Sequence, residues 1–368
     1  MNPFLLSTYK SAEYFCDRES ESSRILNAIE NSRNLTLVSE RKLGKTALLN
    51  HIAHQVPGHE VFLYVDLYPT QSLSDFIKVL ANAVIQKLEP FSETVLRKVS
   101  RFFQSLNAKF SLDAQTGLPN LEFSLNSKGE EEKSIELIFK YIKESERKVT
   151  VAFDEFQQIL NYPEKNVEAL LRTEIQNDSN TCYIFSGSHT HLLLSIFNQY
   201  SRPFYQSTEI MELKKIASEN YKPFMVHHFT SNGVDCTLEQ ADYIYTLNLG
   251  ITYNVQYLCN KLYSAGEKKI TNALIDDMLQ QILLENEVSY YNYRALLSKL
   301  HYNILKAVAR EGRVEKPLAQ KFLLKHNLGS ASSVKSALDN LEGKGLLVKN
   351  NGWRVSDWFF SLWLKTQM

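Results

Sequence analysis

The eight residues from Ser39 to Thr46, S-E-R-K-L-G-K-T, have the types and spacing needed to bind a chain of phosphates. A phosphate-binding loop (P-loop) wraps a triphosphate in backbone N–H groups at the start of a helix and adds a lysine and a hydroxyl. Here Gly44 permits close backbone approach, Lys45 supplies positive charge and Thr46 supplies a hydroxyl for Mg²⁺. The remaining predicted nucleotide contacts in this segment are Arg41, Lys42, Leu43 and Ala47.

The loop departs from the pattern G-x-x-x-x-G-K-[ST] at its first position, where Ser39 stands in place of glycine. Glu40 brings a negative charge towards the phosphates, and its two basic neighbours offset that charge. A bare G-K-T run also occurs in solvated turns before ordinary helices. The β-rich run at 34–38 and the helical pattern at 45–55 favour the P-loop, because this loop joins a strand to a helix.

Two acidic residues, Asp154 and Glu155, directly follow the apolar run V-T-V-A-F at 149–153. A site that hydrolyses a triphosphate needs one strand-end carboxylate to hold magnesium and commonly a second to orient the attacking water. We therefore predict that Asp154 lies on the metal side and that Glu155 is the general base. The alternative is that two acids simply begin a loop, and the P-loop earlier in the chain favours the catalytic interpretation.

The segment Ser186-Gly187-Ser188 follows the next apolar run, T-C-Y-I-F at 181–185. A polar residue at this point can contact the terminal phosphate and sense its loss, and Ser188 is the predicted residue. The alternative is an ordinary loop. The nearby His189 and His191 lack a third ligand, so we expect them to be surface or packing residues and assign no metal to them.

Composition sets wider limits on the protein. A chain of 368 residues is too long to fold around one hydrophobic core of ordinary size, so two or three domains are expected. The 41 basic residues balance the 41 acidic ones, so no overall charge attracts nucleic acid or membrane. The four cysteines are far apart and are expected to be reduced. Without a leader pattern or an apolar run of membrane-spanning length, the prediction is a cytoplasmic protein with no membrane contact.

Patterns along the chain divide it into three parts. Strand and helix patterns alternate up to about residue 212, which predicts a parallel sheet covered on both faces. Alternation between 105 and 127 predicts an inserted strand pair. Helical periodicity follows, and from about Arg294 three helices and an Asn351-Gly352 hairpin predict a winged helix. The predicted domains are an α/β core at 1–212, a helical lid at 213–292 and a winged-helix domain at 293–368.

Segments along nearly the whole chain resemble the AAA+-like, archaeal-type ATPases of the STAND class. They include EYFCDRESE, VAFDEFQQI, YIFSGSHTHLL, GITYNVQYLCNKL and VSDWFFSLWL. The resemblance implies a P-loop NTPase core, a lid and a winged helix in that order. It also implies that Phe15 lies against adenine and that Arg18 lies near the P-loop, the alternative being a helix cap followed by a charged face. Arg202 is similar in position to a basic residue that approaches phosphate in some relatives, or it forms a structural salt bridge.

The lid segment departs from that family in one respect. STAND proteins often carry Gly-x-Pro to contact the nucleotide from the lid, whereas this chain has Gly250-Ile251-Thr252. Lid closure is therefore expected to depend on Tyr253 or Gln256, or to be weaker.

The predicted winged helix has a local excess of positive charge. Eight basic and three acidic residues lie between Arg313 and Arg354, which suits contacts with nucleic-acid phosphates. The presumed recognition helix at 330–343 offers only Lys335 and Asn340 as base readers, so direct readout would be poor. In the family that the chain resembles, the winged helix often packs on the ATPase as part of a switch, and this resemblance favours an intramolecular or protein-contacting role over DNA binding. The aromatic residues expected to form the core of this module are Trp353, Trp358, Phe359, Phe360 and Trp363.

Together these patterns predict a slow ATP-hydrolysing switch that binds ATP or ADP with Mg²⁺. The nucleotide state would set the position of the lid and the winged helix, and the partner would be an unknown protein or a second copy of the chain. The alternative is a DNA-associated winged-helix regulator in which the P-loop holds nucleotide structurally with negligible turnover.

Overall fold

The computed structural model describes residues 1–6, 9–88, 108–112, 119–123 and 128–367. The chain forms two compact units. The core unit comprises Leu5–Tyr221 together with Ile251–Tyr253. The helical unit comprises Met1–Phe4, Lys222–Gly250 and Asn254–Met368. The division into three domains with boundaries at 212 and 292 stays a prediction.

The strands of the core unit form one parallel sheet and a separate strand pair. In chain order they are β1 Leu35–Ser39, β2 Val61–Asp66, β3 Ala108–Leu112, β4 Pro119–Phe123, β5 Val149–Asp154, β6 Cys182–Gly187 and β7 Glu209–Leu213. Five of them make a sheet in the order β2-β5-β6-β1-β7, with every neighbouring pair parallel. β3 and β4 pair antiparallel. The parallel sheet and the inserted strand pair are thus confirmed, although 105–107, 113–118 and 124–127 lie outside the described residues.

Helices connect the strands and cover the sheet. In the described ranges they are α1 Glu19–Glu30, α2 Lys45–Gln55, α3 Leu73–Leu88, α4 Lys128–Lys143, α5 Val167–Gln176 and α6 Thr190–Asn198. Among the residues that the structure describes, short 3₁₀ helices span Ala12–Tyr14 and Phe156–Asn161.

Both faces of the sheet are buried, and β5 illustrates why. Val151 and Phe153 pack into the core cluster that contains the apolar face of α3, whereas Ala152 packs into a second cluster with Leu48 of α2. Successive side chains of a strand point to opposite faces, so a strand covered on both sides needs apolar residues at every position. This explains why β5 appears in the sequence as a continuous apolar run.

Two strands differ from the sequence prediction. β7, with the sequence E-I-M-E-L, was not predicted; it is an edge strand that buries Met211 and Leu213 and exposes Glu212. Its two glutamates hide the strand pattern, because charged residues are depleted in strands but are tolerated at a sheet edge. β6 continues past the predicted 181–185 run to Gly187, so Ser186 belongs to the strand.

The helical unit contains the rest of the chain. Its helices are α7 Ser218–Thr230, which begins in the core unit, α8 Leu238–Leu247, α9 Thr252–Ser264, whose first two residues belong to the core unit, α10 Asn272–Glu285, α11 Glu287–Leu296, α12 Lys299–Glu311, α13 Gln320–His326, α14 Ala331–Gly343 and α15 Trp358–Thr366. β8 Leu347–Lys349 and β9 Trp353–Val355 pair antiparallel around Asn351 and Gly352, which both have positive φ. The predicted succession of three helices and a hairpin is confirmed. No helix in the described ranges is long and apolar enough to cross a bilayer.

Aromatic side chains fill the C-terminal core, as predicted. Trp353, Phe359, Phe360 and Trp363 are buried. The rings of Phe360 and Trp363 lie 5.1 and 5.4 Å from that of Tyr290 in α11. Trp358 is only half-buried, and its indole N–H donates to the Leu247 carbonyl at 2.8 Å.

Candidate functional site

The P-loop joins the end of β1 at Ser39 to the start of α2 at Lys45. Within it Lys42 has φ 68° and Gly44 has φ 90°, both in the left-handed region. That region costs a residue with a Cβ about 1 kcal/mol or more, and glycine avoids the cost. A Cβ at position 44 would lie 3.8 Å from Cγ2 of Thr252, an ordinary contact. Backbone conformation, rather than lack of space, is therefore what requires glycine here.

The predicted phosphate-binding and carboxylate residues lie together at the carboxyl edge of the sheet. Asp154 is the last residue of β5, and Glu155 follows it. Nζ of Lys45 lies 3.7 Å from Oδ1 of Asp154 and 3.6 Å from Oε1 of Glu155. The hydroxyl of Thr46 donates to Oδ2 of Asp154 at 3.0 Å. Two adjacent pairs, Lys45–Thr46 and Asp154–Glu155, which are 108 residues apart in the sequence, thus form one cluster.

Asp154 is the most enclosed member of the cluster, with 3% of the residue exposed. Besides Thr46, it accepts hydrogen bonds from the hydroxyls of Tyr64 at 2.8 Å and Ser186 at 2.5 Å. Burial raises the pKa of this carboxyl, but the charge of Lys45 and the three hydroxyl donors outweigh burial and hold its pKa below the ordinary value. Asp154 therefore carries a stable negative charge. Sequence reasoning missed both Tyr64 and Ser186 as partners of Asp154.

The oxygen atoms in the cluster suit Mg²⁺. This ion prefers oxygen ligands and is usually held by one or two protein groups together with phosphate oxygens and water. The Thr46 hydroxyl and the Asp154 carboxylate are such groups and lie within hydrogen-bond distance of each other. The part of the chain that the structure describes has no group of three or more His, Cys, Asp or Glu placed to hold a metal. Thr46 and Asp154 are the residues that would hold Mg²⁺, together with phosphate oxygens and water.

Glu155 is held at one carboxylate oxygen. Its backbone has φ 54°, an uncommon conformation for a residue with a side chain. Oε2 accepts hydrogen bonds from Nε2 of Gln157 at 2.5 Å, the Ser188 hydroxyl at 3.0 Å and the Ser188 N–H at 3.3 Å. Ser188, the predicted phosphate sensor, thus lies beside the predicted base. Gln157 was not singled out from the sequence.

Arg18 supports the P-loop from outside. Its guanidinium donates to the carbonyl of Leu43 at 3.3 Å and to that of Lys214 at 2.7 Å, and it pairs with Glu21 at 2.7 Å. Arg18 is buried, with φ 82°. The structure places it near the P-loop, as the resemblance implied, and these contacts are with protein groups. A direct contact with nucleotide stays a prediction.

The first turn of α9 contacts the same loop. The N–H of Tyr253 donates to the carbonyl of Lys42 at 3.0 Å, and the hydroxyl of Thr252 donates to the carbonyl of Leu43 at 3.3 Å. Nζ of Lys42 lies 5.2 Å from the centre of the Tyr253 ring, a cation–π distance. A P-loop binds phosphate through its backbone N–H groups, which must point towards the ligand. The hydrogen bonds that Thr252 and Tyr253 donate to the loop's carbonyl groups help to hold the loop in one conformation.

Phe15, the predicted adenine contact, is half-buried and stacks on His51. The ring centres lie 4.2 Å apart at 21°, and Tyr9 meets Phe15 edge-on at 5.7 Å. Burial lowers the pKa of His51, and the charge of His54 lowers it further. The role of Phe15 at adenine stays a prediction.

The remaining predicted residues surround this cluster or lie apart from it. The guanidinium of Arg41 lies 2.5 Å from Nε2 of His189. Ala47 lies half-buried in α2. Arg202 forms a salt bridge of 2.6 Å with Glu168, the structural alternative considered for it.

Comparison of the sequence with family models gives two matches. Residues 15–258 match the model for an ATPase domain predominantly from Archaea. Residues 288–366 match a probable winged helix domain. No curated protein matches the chain in sequence.

Solved structures show a similar fold over nearly the whole chain. A Walker-type ATPase of Pyrococcus abyssi is 20% identical with a TM-score of 0.67, and the match covers 99% of each chain. The Aeropyrum pernix ORC2 protein, solved with ADPNP and ADP, is 13% identical with a TM-score of 0.57, covering 98% of this chain and 96% of that one. The A. pernix ORC1 protein, solved in complex with DNA, is 11% identical with a TM-score of 0.52, covering 96% and 93%. At these identities the likeness concerns the fold alone.

Proposed function

This chain belongs to the family of ATPase domains found predominantly in Archaea, and from that premise we propose that it is a magnesium-dependent ATP-hydrolysing switch of the STAND type. ATP is the proposed substrate, ADP and phosphate are the products, and turnover is slow. The nucleotide state of the switch controls its binding to a protein partner or to a second copy of the chain.

One observation carries the proposal. Nζ of Lys45 lies between Oδ1 of Asp154 and Oε1 of Glu155, at 3.7 and 3.6 Å. A lysine that neutralises phosphate charge, a carboxylate with a stable negative charge and a second carboxylate are the groups that hydrolysis of a triphosphate needs. Their convergence at the end of the P-loop supports hydrolysis rather than binding alone.

The proposed step is an in-line attack by water on the γ-phosphorus. A new P–O bond forms, the bond from the γ-phosphorus to the oxygen shared with the β-phosphate breaks, and Glu155 accepts a proton from the water. Lys45 stabilises negative charge on the phosphates. Mg²⁺, when bound through Thr46 and Asp154, neutralises charge on the phosphate oxygens. Ser188 is the proposed sensor of the terminal phosphate, and its hydrogen bond of 3.0 Å to Oε2 of Glu155 supports this role.

The switch is supported by the contacts of α9. Thr252 and Tyr253 bond the P-loop carbonyls of Leu43 and Lys42, at the start of a helix that continues into the helical unit. A change in loop conformation on nucleotide binding would alter these bonds. We infer that nucleotide occupancy is transmitted along α9.

Hydrolysis tests the proposal directly. Lys45→Ala is expected to abolish ATP binding, because it removes the phosphate-binding charge. Glu155→Gln is expected to keep ATP binding and to lower kcat by about 100-fold or more, the range for loss of a general base. Glu146→Gln, an exposed change on the same unit, is the control and should match wild type. Normal turnover in Glu155→Gln would refute Glu155 as the base.

A second candidate function is DNA association through the winged helix. It is favoured by the exposed basic residues Arg313, Lys316, Lys321, Lys335 and Lys344. It is weakened by the poor base-reading capacity of α14. Salt-sensitive binding of duplex DNA that is lost in Lys316→Glu/Lys321→Glu, but kept in the exposed control Lys268→Glu/Lys269→Glu, would support it. Negligible ATP turnover with such binding would favour this candidate over the switch.

A further inference from the structure

Gln157 lies in the 3₁₀ helix that follows Glu155, and only 5% of it is exposed. Its amide nitrogen donates to Oε2 of Glu155 at 2.5 Å. The neighbouring Gln158 instead turns its amide to the carbonyl of Thr70 at 3.0 Å. Two adjacent glutamines therefore have different partners, and only Gln157 contacts the predicted base.

The other end of the Gln157 amide is buried without a partner. Oε1 makes no hydrogen bond, and burying an unpaired acceptor is unfavourable because the atom loses its hydrogen bonds with water. Oε1 lies against Gly187, where an added Cβ would be only 1.9 Å away. Any residue other than glycine at 187 would thus displace the amide. Gly187 leaves room for the Gln157 side chain, and Oε1 is buried there without a hydrogen bond. The hydrogen bond from Nε2 to Oε2 of Glu155 offsets this unfavourable burial.

The contact leaves the two oxygens of Glu155 in different surroundings. Oε2 accepts from both Gln157 and Ser188, whereas Oε1 lies 3.6 Å from Nζ of Lys45. Oxygen atoms fixed by several donors are poor proton acceptors, because each donor occupies a lone pair. Oε1 is thus the oxygen on the side of Lys45, the residue proposed to hold the terminal phosphate.

We propose that Gln157 is a positioning residue that anchors Oε2 of Glu155 and leaves Oε1 to accept the proton from water, with Gly187 making room for its amide. The inference rests on the proposed function, since it assigns roles to the two oxygens of the proposed base. Gln157 acts through Glu155 and does not touch the reacting atoms.

The test replaces Gln157 by methionine, which is similar in length but lacks the amide donor. Gln157→Met is expected to lower kcat about tenfold, as for a misplaced catalytic group, with KM for ATP unchanged. Gln158→Met is the matched control and should leave both quantities unchanged. If Gln157→Met does not fold, Gln157→Asn, whose amide is too short to reach, replaces it.

An unchanged or increased kcat in Gln157→Met would overturn the proposal. A double-mutant cycle read by urea unfolding tests the contact without using turnover. Gln157→Met and Glu155→Ala should be non-additive in the equilibrium constant of unfolding, whereas Gln158→Met and Glu155→Ala should be additive. Additivity in the first pair would overturn the contact. No turnover in wild type, with non-additivity preserved, would instead overturn the proposed function and the proton-accepting role of Oε1.

Discussion

The hydroxyl of Thr46 lies 3.0 Å from Oδ2 of Asp154 and donates a hydrogen bond to it. Thr46 is in the first turn of α2, and Asp154 ends β5, two strands away from β1 in the sheet. The bond therefore joins the P-loop to a strand that is not its neighbour. It also places a hydroxyl and a carboxylate side by side, which is the pair proposed to hold Mg²⁺.

Thr46→Val should remove the magnesium dependence of nucleotide binding. Valine keeps the shape of threonine but provides no oxygen for the ion or for Asp154. Affinity for ATP with Mg²⁺ should fall on the order of tenfold, while affinity in EDTA should change little. Calorimetric titrations with and without the ion measure both. Thr173→Val, which removes a helical hydroxyl bonded to a backbone carbonyl, is the control and should behave as wild type.

Tyr64→Phe should destabilise the fold by about 1–2 kcal/mol at neutral pH, because a buried carboxylate loses one of its donors. The pKa of Asp154 is lowered in the folded state, so its contribution to stability is present above its unfolded-state pKa and is lost as pH falls through the folded value. The difference between wild type and Tyr64→Phe should therefore shrink as pH falls below 3.8, the ordinary value, and through the lower folded-state pKa of Asp154. Urea unfolding from pH 7 down to about pH 2 measures this. An undiminished difference in acid would contradict the role of Asp154.

The matched control for that experiment is Tyr183→Phe. The hydroxyl of Tyr183 donates to Asp178 at 2.9 Å, away from the candidate site. This change should also cost stability, but ATP hydrolysis by the folded protein should remain at the wild-type rate.

Thr252→Val should weaken ATP binding without changing the turnover of bound ATP. The hydroxyl that engages the carbonyl of Leu43 is lost, so the P-loop is less well fixed before nucleotide arrives. A decrease in affinity of a few-fold is expected, at about 1 kcal/mol for one neutral hydrogen bond. Fluorescent-nucleotide titration and single-turnover kinetics separate the two effects. The control is Thr246→Val, which replaces an exposed threonine of α8. Equal ATP affinities in wild type, Thr252→Val and Thr246→Val would argue against a role for the hydrogen bond between Thr252 and Leu43.

Acid should destabilise the protein partly through His51. Burial and His54 lower the pKa of His51 from 6.5, so the unfolded chain takes up more protons than the folded one as pH falls below that value. The contribution is fully present above pH 6.5 and is lost as pH falls through the folded pKa. The free energy of unfolding should therefore decrease less between pH 8 and 5 in His51→Gln than in wild type. His59→Gln, with 80% of the His59 side chain exposed, should retain the wild-type slope.

The main parts of the candidate site could be predicted because each has a local signature. The P-loop lies between a strand and a helix, and Asp154 and Glu155 end an apolar strand. Parallel strands bring their carboxyl ends to one edge, so the convergence of these groups follows from the fold class. The P-loop and the two strand-end carboxylates could therefore be predicted, because a single strand and the loop after it contain enough information to identify each of them.

Tyr64 and Gln157 could not be predicted, because their partners are fixed only by tertiary packing. Tyr64 lies in the apolar run V-F-L-Y-V-D and looks like an ordinary strand aromatic. Its hydroxyl reaches Asp154 because β2 pairs with β5 in register, with Tyr64 opposite Ala152. Gln157 follows Glu155 so closely that it looks like a loop residue, and its orientation depends on Gly187 of another strand. Neither pairing order nor register can be deduced from the periodicity of one segment.

The contacts of Thr252 and Tyr253 with the P-loop also decide which fragment of the chain can serve as a minimal nucleotide-binding protein. A truncation at residue 212, where the sequence suggests that the core ends, would remove two of the donors that hold the carbonyls of Lys42 and Leu43. It would also remove the carbonyl of Lys214 that binds Arg18. The shortest fragment that retains all of these bonds must extend through Tyr253. The residues that fix the conformation of the P-loop are therefore not contiguous in the sequence. A truncation chosen by domain length alone would remove some of these residues while leaving the P-loop sequence itself intact.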